Sequence, residues 1–147
     1  MTLWRISRHH ELSGAGGLRA PGRWHERGLP IVYLAETPSG ALLETCLHTS
    51  ANDVPPSYTL LAVQVPTQVA QEDLSMTTLP PDWVDHVEVT RKAGSEWLRS
   101  LRSALLRVPS ALVPDTSKVL LNPLHPVAGQ VRIEAAYDYP FDPRFKR

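Results

Sequence analysis

Cysteine is almost absent from this sequence. The single one, Cys46, excludes an internal disulfide and fits a protein that stays in a reducing compartment. The N-terminal segment lacks the apolar core of a signal peptide, and no apolar run is long enough to span a membrane. We therefore expect a soluble, cytoplasmic protein without membrane contact.

An excess of charge of either sign is absent as well. Fifteen Lys and Arg residues balance fifteen Asp and Glu residues, so no overall field draws the protein directly to nucleic acid. No internal repeat, low-complexity segment or linker is visible. With 42% hydrophobic residues in 147, the chain is long enough to close one core, and we expect residues 1–147 to form a single domain.

Common metal-binding and nucleophile motifs are also missing. The six His residues are scattered, and neither HExxH nor CxxC occurs, so we predict no metal site. Cys46 and His48 are two residues apart on a predicted helix and point about 200° away from each other, which disfavours a thiol–imidazole pair. The glycines at 14, 16 and 17 resemble part of a phosphate-binding loop but lack its Lys-Ser/Thr.

Apolar periodicity predicts short strands and helices in irregular alternation, which is typical of an α+β fold. Thr37 followed by Pro38 is a helix start signal, as N-cap and first helical position. Residues 13–30, rich in Gly, Pro and Arg, are predicted to be a long loop, and 138–147 an irregular tail. The predicted strands are 3–6, 30–35, 58–65, 111–113, 118–121 and 130–136, and the predicted helices are 38–48 and 90–106.

Helical spacing gives the segment 38–48 one apolar side. Leu42, Leu43, Cys46 and Leu47 fall within an arc of about 140°, and Glu44 lies outside that arc. We therefore predict that the arc faces the core and that Glu44 sits at the edge of this face.

Several polar or aromatic side chains have the chemistry of a ligand site. Arg23 lies in the loop, and a guanidinium suits a bidentate grip on a diphosphate. Tyr33 lies on a strand and Glu44 on a helix, while Ser110 and Asn122 occupy turn-like positions at strand ends. Taken singly, each fits an ordinary role, such as a solvated arginine, a core aromatic or a turn residue. No single position identifies a function.

Taken together, these residues resemble the RES family, named for its recurrent Arg, Glu and Ser. Ten positions separate Arg23 from Tyr33 and eleven separate Tyr33 from Glu44, which is similar to the family's spacing. The resemblance covers nearly the whole chain. It is carried by residues 4–6 (WRI), 22–24 (GRW), 31–35 (IVYLA), 41–44 (ALLE), 81–83 (PDW), 94–98 (GSEWL), 109–114 (PSALVP) and 120–126 (LLNPLHP).

The resemblance implies an α+β fold like that of the ADP-ribosyltransferase toxins. It also implies a toxin that consumes NAD, so that NAD is the substrate and no true cofactor is needed. The partner it implies is a helical antitoxin with a DNA-binding part, which covers the toxin's active site. Whether the chain also forms a homodimer is left open.

Three residues would carry the reaction in this resemblance. Loss of nicotinamide leaves positive charge on the ribose, and a fixed carboxylate, Glu44, would stabilise that charge as in glycoside cleavage. Nicotinamide is already a cationic leaving group and needs no general acid. Arg23 would hold the NAD diphosphate, and Tyr33 would stack on the nicotinamide ring.

Three further residues have less definite roles. Arg5 is a second candidate for a phosphate of NAD or for bracing the site. Ser110 and Asn122 would bind a ribose or the amide of NAD, or support Glu44.

Several functions stay open at this point. The acceptor of the ADP-ribosyl group can be water, inorganic phosphate or a protein side chain, which gives a glycohydrolase, a phosphorolase or an ADP-ribosyltransferase acting on a specific host protein. We favour degradation of NAD. A non-catalytic nucleotide-binding module would keep the arginine loop without needing Glu44. An RNA-cleaving toxin ranks lowest, because the charge is balanced and no basic aromatic face is evident.

Overall fold

A seven-stranded sheet organises the residues that this computed structural model describes, 1–50 and 52–146. The strand order is β4-β5-β6-β2-β1-β3-β7. Only the β4–β5 pair is parallel among these neighbours. The strands are β1 (Thr2–Ile6), β2 (Val32–Ala35), β3 (Ser57–Gln64), β4 (Gln71–Asp73), β5 (Leu105–Pro109), β6 (Ser117–Leu121) and β7 (Arg132–Pro140).

Within the described part of the chain, three α-helices accompany the sheet: α1 (Gly16–Arg19), α2 (Pro38–Leu47) and α3 (Val87–Ser100). The predicted start of α2 is confirmed, since the Thr37 hydroxyl accepts a hydrogen bond from the Gly40 amide and Pro38 opens the helix. The α+β class is confirmed as well. Among the described residues, no helix combines the length and apolar character needed to cross a membrane.

Strand register shows which side chains share a face of the sheet. Tyr33 and Ala35 of β2 lie opposite Leu120 and Lys118 of β6, and Ala35 also lies opposite Trp4 of β1. Residues directly opposite each other point to the same side. These five side chains therefore share one face, which we call the helix face.

The helix face is covered by α2 and α3. Ala41 of α2 packs with Ala35 and Leu60, and Trp97 of α3 belongs to one apolar cluster with Leu120. The opposite face carries a larger apolar cluster, which includes Leu3, Val32, Leu34, Leu61, Val119 and Leu121. Both faces of the central strands are therefore buried.

The predicted core face of α2 is wrong. Leu43 and Leu47 are 44% and 59% exposed, whereas Ala41 is buried against the sheet. The small Ala41 side chain allows close approach to Ala35, so this side of the helix meets the sheet. Glu44 lies three residues after Ala41 and therefore on nearly the same side, which turns it toward the helix face.

The predicted helix 90–106 is also wrong at its end. The helix stops at Ser100, where Leu101 takes a left-handed conformation with φ 54°, and Leu105–Pro109 forms β5. The Ser100 hydroxyl donates to the Trp97 carbonyl and accepts from the Arg102 amide, which closes the last turn. A strand buried on both faces has a continuous apolar pattern, so its sequence resembles a helical segment.

Three other predictions differ from the structure. The segment 111–113, predicted as a strand, is a bend that leads into a turn at 114–115, and β7 continues through 138–140, predicted as irregular. The loop 13–30 contains the short helix α1. The three-residue strand β4 was not predicted, because its sequence Gln-Glu-Asp has no apolar alternation.

Candidate functional site

The loop that carries Arg23 is fixed to α3 through its backbone. The Arg91 guanidinium donates to the Gly22 carbonyl at 2.7 Å, and the Thr90 hydroxyl donates to the Arg23 carbonyl at 2.6 Å. A little further on, the Glu26 amide donates to the Ser95 hydroxyl at 3.0 Å. Several polar anchors on one helix therefore determine where the Arg23 side chain begins.

Gly94 allows this loop to approach α3 closely. A Cβ atom at this position would lie 1.8 Å from the Trp24 carbonyl oxygen, which is far inside van der Waals contact. The Trp24 side chain is 1% exposed and packs with Trp83 and Trp97 in one cluster. A glycine on α3 and a buried tryptophan on the loop thus fit together.

The Arg23 guanidinium lies 6.0 Å from the centre of the Trp83 ring. Its Nη1 donates to the Val84 carbonyl at 3.1 Å. A guanidinium has five N–H donors in a fixed plane, so this contact is compatible with a further grip on an anion. The aromatic ring and the carbonyl hold the group in a defined orientation.

The Tyr33 hydroxyl is engaged with the same loop. It accepts a hydrogen bond from the Trp24 amide at 3.1 Å and lies 2.7 Å from Nδ1 of His25. Burial raises the pKa of Tyr33 to about 12, against the opposing effect of the nearby Arg91 and Arg23 charges. The phenol is therefore neutral at physiological pH, and its ring is the part suited to contact a ligand.

Glu44 is half-buried on the helix face and paired with Lys118. Its Oε1 contacts Nζ of Lys118, and its Oε2 lies 3.7 Å from Nε2 of His48. The Glu44 and Lys118 side chains are 22% and 19% exposed. The ion pair therefore ties the Glu44 side chain of α2 to β6.

Ser110 lies at the end of the sheet where Lys118 lies. Val108 of β5 is opposite Lys118, and the ladder extends one bond further, from the Ser110 amide to the Thr116 carbonyl at 2.9 Å. The Ser110 hydroxyl accepts from the Leu112 and Val113 amides at 3.1 and 3.2 Å. Strand alternation thus places Ser110 on the helix face with Tyr33 and Lys118.

Arg5 is not brought to this group, and Asn122 lies on the helix face but at the end of β6 away from Lys118. Arg5 follows Trp4 on β1, so it points to the opposite face, where its Nη1 lies 3.5 Å from the Glu11 carbonyl. Asn122 is four residues from Lys118, about 13 Å along β6. It is 1% exposed, its Nδ2 donates to the Leu98 carbonyl, and its Oδ1 accepts from the Leu124 amide.

Two polar residues of this site were not predicted from the sequence. Lys118 is the second residue of β6, and a lysine two positions before Leu120, on the same side of an apolar strand, is a signal that the sequence contains. Arg91 lies in a helix that carries several charged residues at ordinary helical spacing, so the sequence gives no reason to select it. Among the residues described here, no three His, Cys, Asp or Glu side chains are grouped to hold a metal ion.

The fold and these contacts define an α+β domain with charged and aromatic groups on one sheet face. It is similar to a chain in the crystal structure of the MbcT–MbcA toxin–antitoxin complex of M. tuberculosis. The TM-score is 0.75 at 21% sequence identity, over 99% of this chain and 86% of that chain. This similarity establishes the fold.

The RES domain family model matches residues 2–142. A protein named Toxin Res from Pseudomonas putida is 43% identical over 91% of this chain and 92% of its own length. A Prs ADP-ribosylating toxin from Sphingobium sp. is 36% identical over 99% of this chain and 97% of its own length. The chain belongs to the RES-domain family and falls among its toxins, which confirms the resemblance seen in the sequence.

Proposed function

We propose that this toxin cleaves the bond between nicotinamide and ribose in NAD. The observation that carries the proposal is the Glu44 carboxylate, which is half-buried and paired with Lys118 on the sheet face that also holds Tyr33. When the bond breaks, its electron pair leaves with the nicotinamide ring, and the ribose carbon and ring oxygen share a positive charge. A fixed carboxylate beside that ribose lowers the energy of this state.

The remaining groups fit the rest of the NAD molecule. Arg23, oriented by Trp83 and the Val84 carbonyl, would grip the diphosphate. The Tyr33 ring would stack on nicotinamide. Ser110 would contact a ribose hydroxyl, because it lies at the same end of the helix face as Lys118. Arg5 and Asn122 stay outside this proposal, since their contacts lie elsewhere.

The acceptor of the ADP-ribosyl group divides the proposal in two. Water or inorganic phosphate gives degradation of NAD, which we favour. Transfer to a protein is the second candidate, and it is supported by the name of the Sphingobium relative, an ADP-ribosylating toxin. The two reactions differ in the molecule that receives the ADP-ribosyl group.

Product analysis tests the proposal directly. Purified protein is incubated with NAD labelled in the adenine ring, with and without phosphate, and with and without a bacterial lysate. We expect free nicotinamide together with ADP-ribose or its 1″-phosphate. Label carried on a polypeptide would establish the transferase instead, and intact NAD in every mixture would refute both.

Arg23→Lys is expected to weaken NAD binding about tenfold or more. An ammonium cannot reproduce the two parallel hydrogen bonds of a guanidinium to a diphosphate, which are charge-assisted and strong. Calorimetry measures the NAD dissociation constant of this variant. Arg19→Lys is a matched control, because Arg19 is exposed on α1 in the same loop. Equal affinity of the Arg23 variant and the parent would move the diphosphate site elsewhere.

We also propose an antitoxin partner that covers the site, as the resemblance implies and as the structural neighbour, a toxin–antitoxin complex, supports. Leu43 and Leu47 are exposed apolar side chains on α2, on the helix that carries Glu44. They form an apolar binding surface for a segment of the partner at the rim of the site.

Expression of this chain alone in a bacterial host is therefore expected to arrest growth and lower cellular NAD. Co-expression of its antitoxin should restore both, and the double variant Leu43→Ser/Leu47→Ser should escape this neutralisation while staying toxic. Leu124→Ser is the control, since Leu124 is 67% exposed away from α2. Normal growth and normal cellular NAD on expression of the parent chain would contradict the toxin assignment. Full neutralisation of the double variant by the antitoxin would contradict the proposed binding surface on α2.

A further inference from the structure

Both ring nitrogens of His25 have partners, although the residue is 3% exposed. Nδ1 lies 2.7 Å from the Tyr33 hydroxyl, and Nε2 lies 2.9 Å from the Ala20 carbonyl. The two aromatic rings are tilted by 55° with centres 5.7 Å apart. His25 thus connects the loop that carries Arg23 to the strand that carries Tyr33.

These partners determine the tautomer of the ring. A carbonyl oxygen only accepts hydrogen bonds, so Nε2 of His25 carries a proton and donates it to Ala20. Burial lowers the pKa of His25 against the opposing effect of the Ala20 and Gly17 carbonyls, and the nearby Arg91 charge adds to the lowering, so the ring is neutral. Nδ1 is then unprotonated and accepts a hydrogen bond.

The direction of the next bond follows. The Tyr33 hydroxyl donates its proton to Nδ1 of His25 and accepts from the Trp24 amide. Its single proton is therefore committed within the protein. Tyr33 has no proton to give to a substrate in this arrangement, and its hydroxyl serves to fix the plane of the ring.

The packing leaves this arrangement little freedom. A Cβ atom at Gly22 would lie 2.4 Å from the Tyr33 hydroxyl and 2.9 Å from the His25 ring. A Cβ atom at Gly17 would lie 2.3 Å from the Leu29 carbonyl oxygen and 3.2 Å from Nε2 of His25. Gly17 and Gly22 therefore provide the space that the His25 imidazole needs to bridge the loop and the strand.

We propose that His25 is a positioning residue of the NAD site, in which the Nε2 bond to Ala20 sets the tautomer and the Nδ1 bond fixes the Tyr33 ring. The inference rests on the proposed function, because it takes Tyr33 as the surface on which nicotinamide stacks. His25 itself touches neither NAD nor the reacting atoms. Its effect is on the affinity for NAD, not on the step that breaks the bond.

Two conservative variants separate the two hydrogen bonds of His25. In His25→Asn the carboxamide oxygen falls near the position of Nδ1 and accepts from Tyr33, while the bond to Ala20 is lost. In His25→Gln the carboxamide nitrogen falls near the position of Nε2 and donates to Ala20, while the bond from Tyr33 is lost. Tyr33→Phe removes the same bond from the other side and also leaves the Trp24 amide without its acceptor.

The KM for NAD and kcat are measured for these variants and for the double variant His25→Gln/Tyr33→Phe. We expect His25→Gln to raise KM about threefold to tenfold, the range that loss of one neutral hydrogen bond corresponds to, and Tyr33→Phe to raise KM at least as much. kcat should change little. The double variant should be no worse than Tyr33→Phe alone, and His25→Asn should keep a KM near that of the parent.

Three kinetic results would overturn the proposal. These are additive effects in the double variant, equal KM values for His25→Asn and His25→Gln, and a loss of kcat at unchanged KM, which indicates a smaller folded fraction. Circular dichroism of each variant shows whether it is folded.

A spectroscopic measurement tests the hydrogen-bond chain without any turnover. Nitrogen-15 chemical shifts of the His25 ring should show a protonated Nε2 and a bare Nδ1 at neutral pH, and the Nδ1 signal should move in Tyr33→Phe. The opposite tautomer, or a signal insensitive to Tyr33→Phe, would overturn the proposal even if His25→Gln does not fold. Absence of NAD turnover in the parent would refute the proposed function alone.

Discussion

Glu44→Gln is expected to lower the rate of NAD cleavage by roughly 10² to 10³, the usual effect of removing one preorganised electrostatic group. The amide keeps the size of the side chain and removes its negative charge. The charge that develops on the ribose then lacks its counter-charge. Affinity for NAD should change less than the rate, because nicotinamide and diphosphate contact other residues. The rate of nicotinamide release, monitored by chromatography under single-turnover conditions, measures this effect.

Glu36→Gln is the matched control for this variant. Glu36 lies between β2 and α2, and it pairs with Arg107 at 3.3 Å as a surface contact, with 39% of its side chain exposed. An exposed pair of this kind contributes little to stability. We expect the Glu36 variant to cleave NAD at the parental rate. Parental activity of a folded Glu44→Gln protein would remove Glu44 from the mechanism.

Gly94→Ala is expected to destabilise the protein and to disturb NAD binding together. The added methyl group would meet the Trp24 carbonyl oxygen at 1.8 Å and its carbon at 2.7 Å, and both are backbone atoms that no rotamer change can move away. The loop must shift from α3, which costs about 1–3 kcal/mol as overpacking of a dense interior. Urea denaturation measures this loss, and calorimetry measures the affinity for NAD.

Gly16→Ala provides the comparison on the same loop. A Cβ atom at Gly16 meets nothing within 4 Å, and the residue lies in α1, where alanine favours the helix. We expect this variant to be as stable as the parent or slightly more stable. If the Gly94 and Gly16 variants unfold at the same urea concentration, the close fit of loop and helix has no energetic role.

Features that depend on neighbours along the chain are predicted correctly from the sequence, whereas features that depend on tertiary packing are not. The start of α2 was predictable because Thr37 and Pro38 act through their own backbone neighbours. The side of α2 that meets the sheet was not, because the close approach of Ala41 to Ala35 outweighs the apolar arc that contains Leu43. Burial against a distant strand is not encoded in the periodicity of the helix.

The same limit applies to the candidate site. Arg23, Tyr33 and Glu44 were selected through a family resemblance, since each alone has an ordinary role. The ion pair of Glu44 with Lys118 depends on the pairing of β6 with β2, and the side to which Arg5 points depends on the register of β1. A shift of one residue in register reverses the face of every side chain. Sequence alone does not determine that register.

The loop of Arg23 is attached to α3 by contacts that bind main-chain atoms: Arg91 and Thr90 reach carbonyls, and Ser95 reaches an amide. Main-chain atoms are the same whatever side chain a residue carries. Exposed side chains of this loop can therefore be exchanged without loss of these attachments, whereas Gly17 and Gly22 have no room for a side chain. The side chains that fix the path of the loop thus lie on α3, and they need no contact with a ligand to do so.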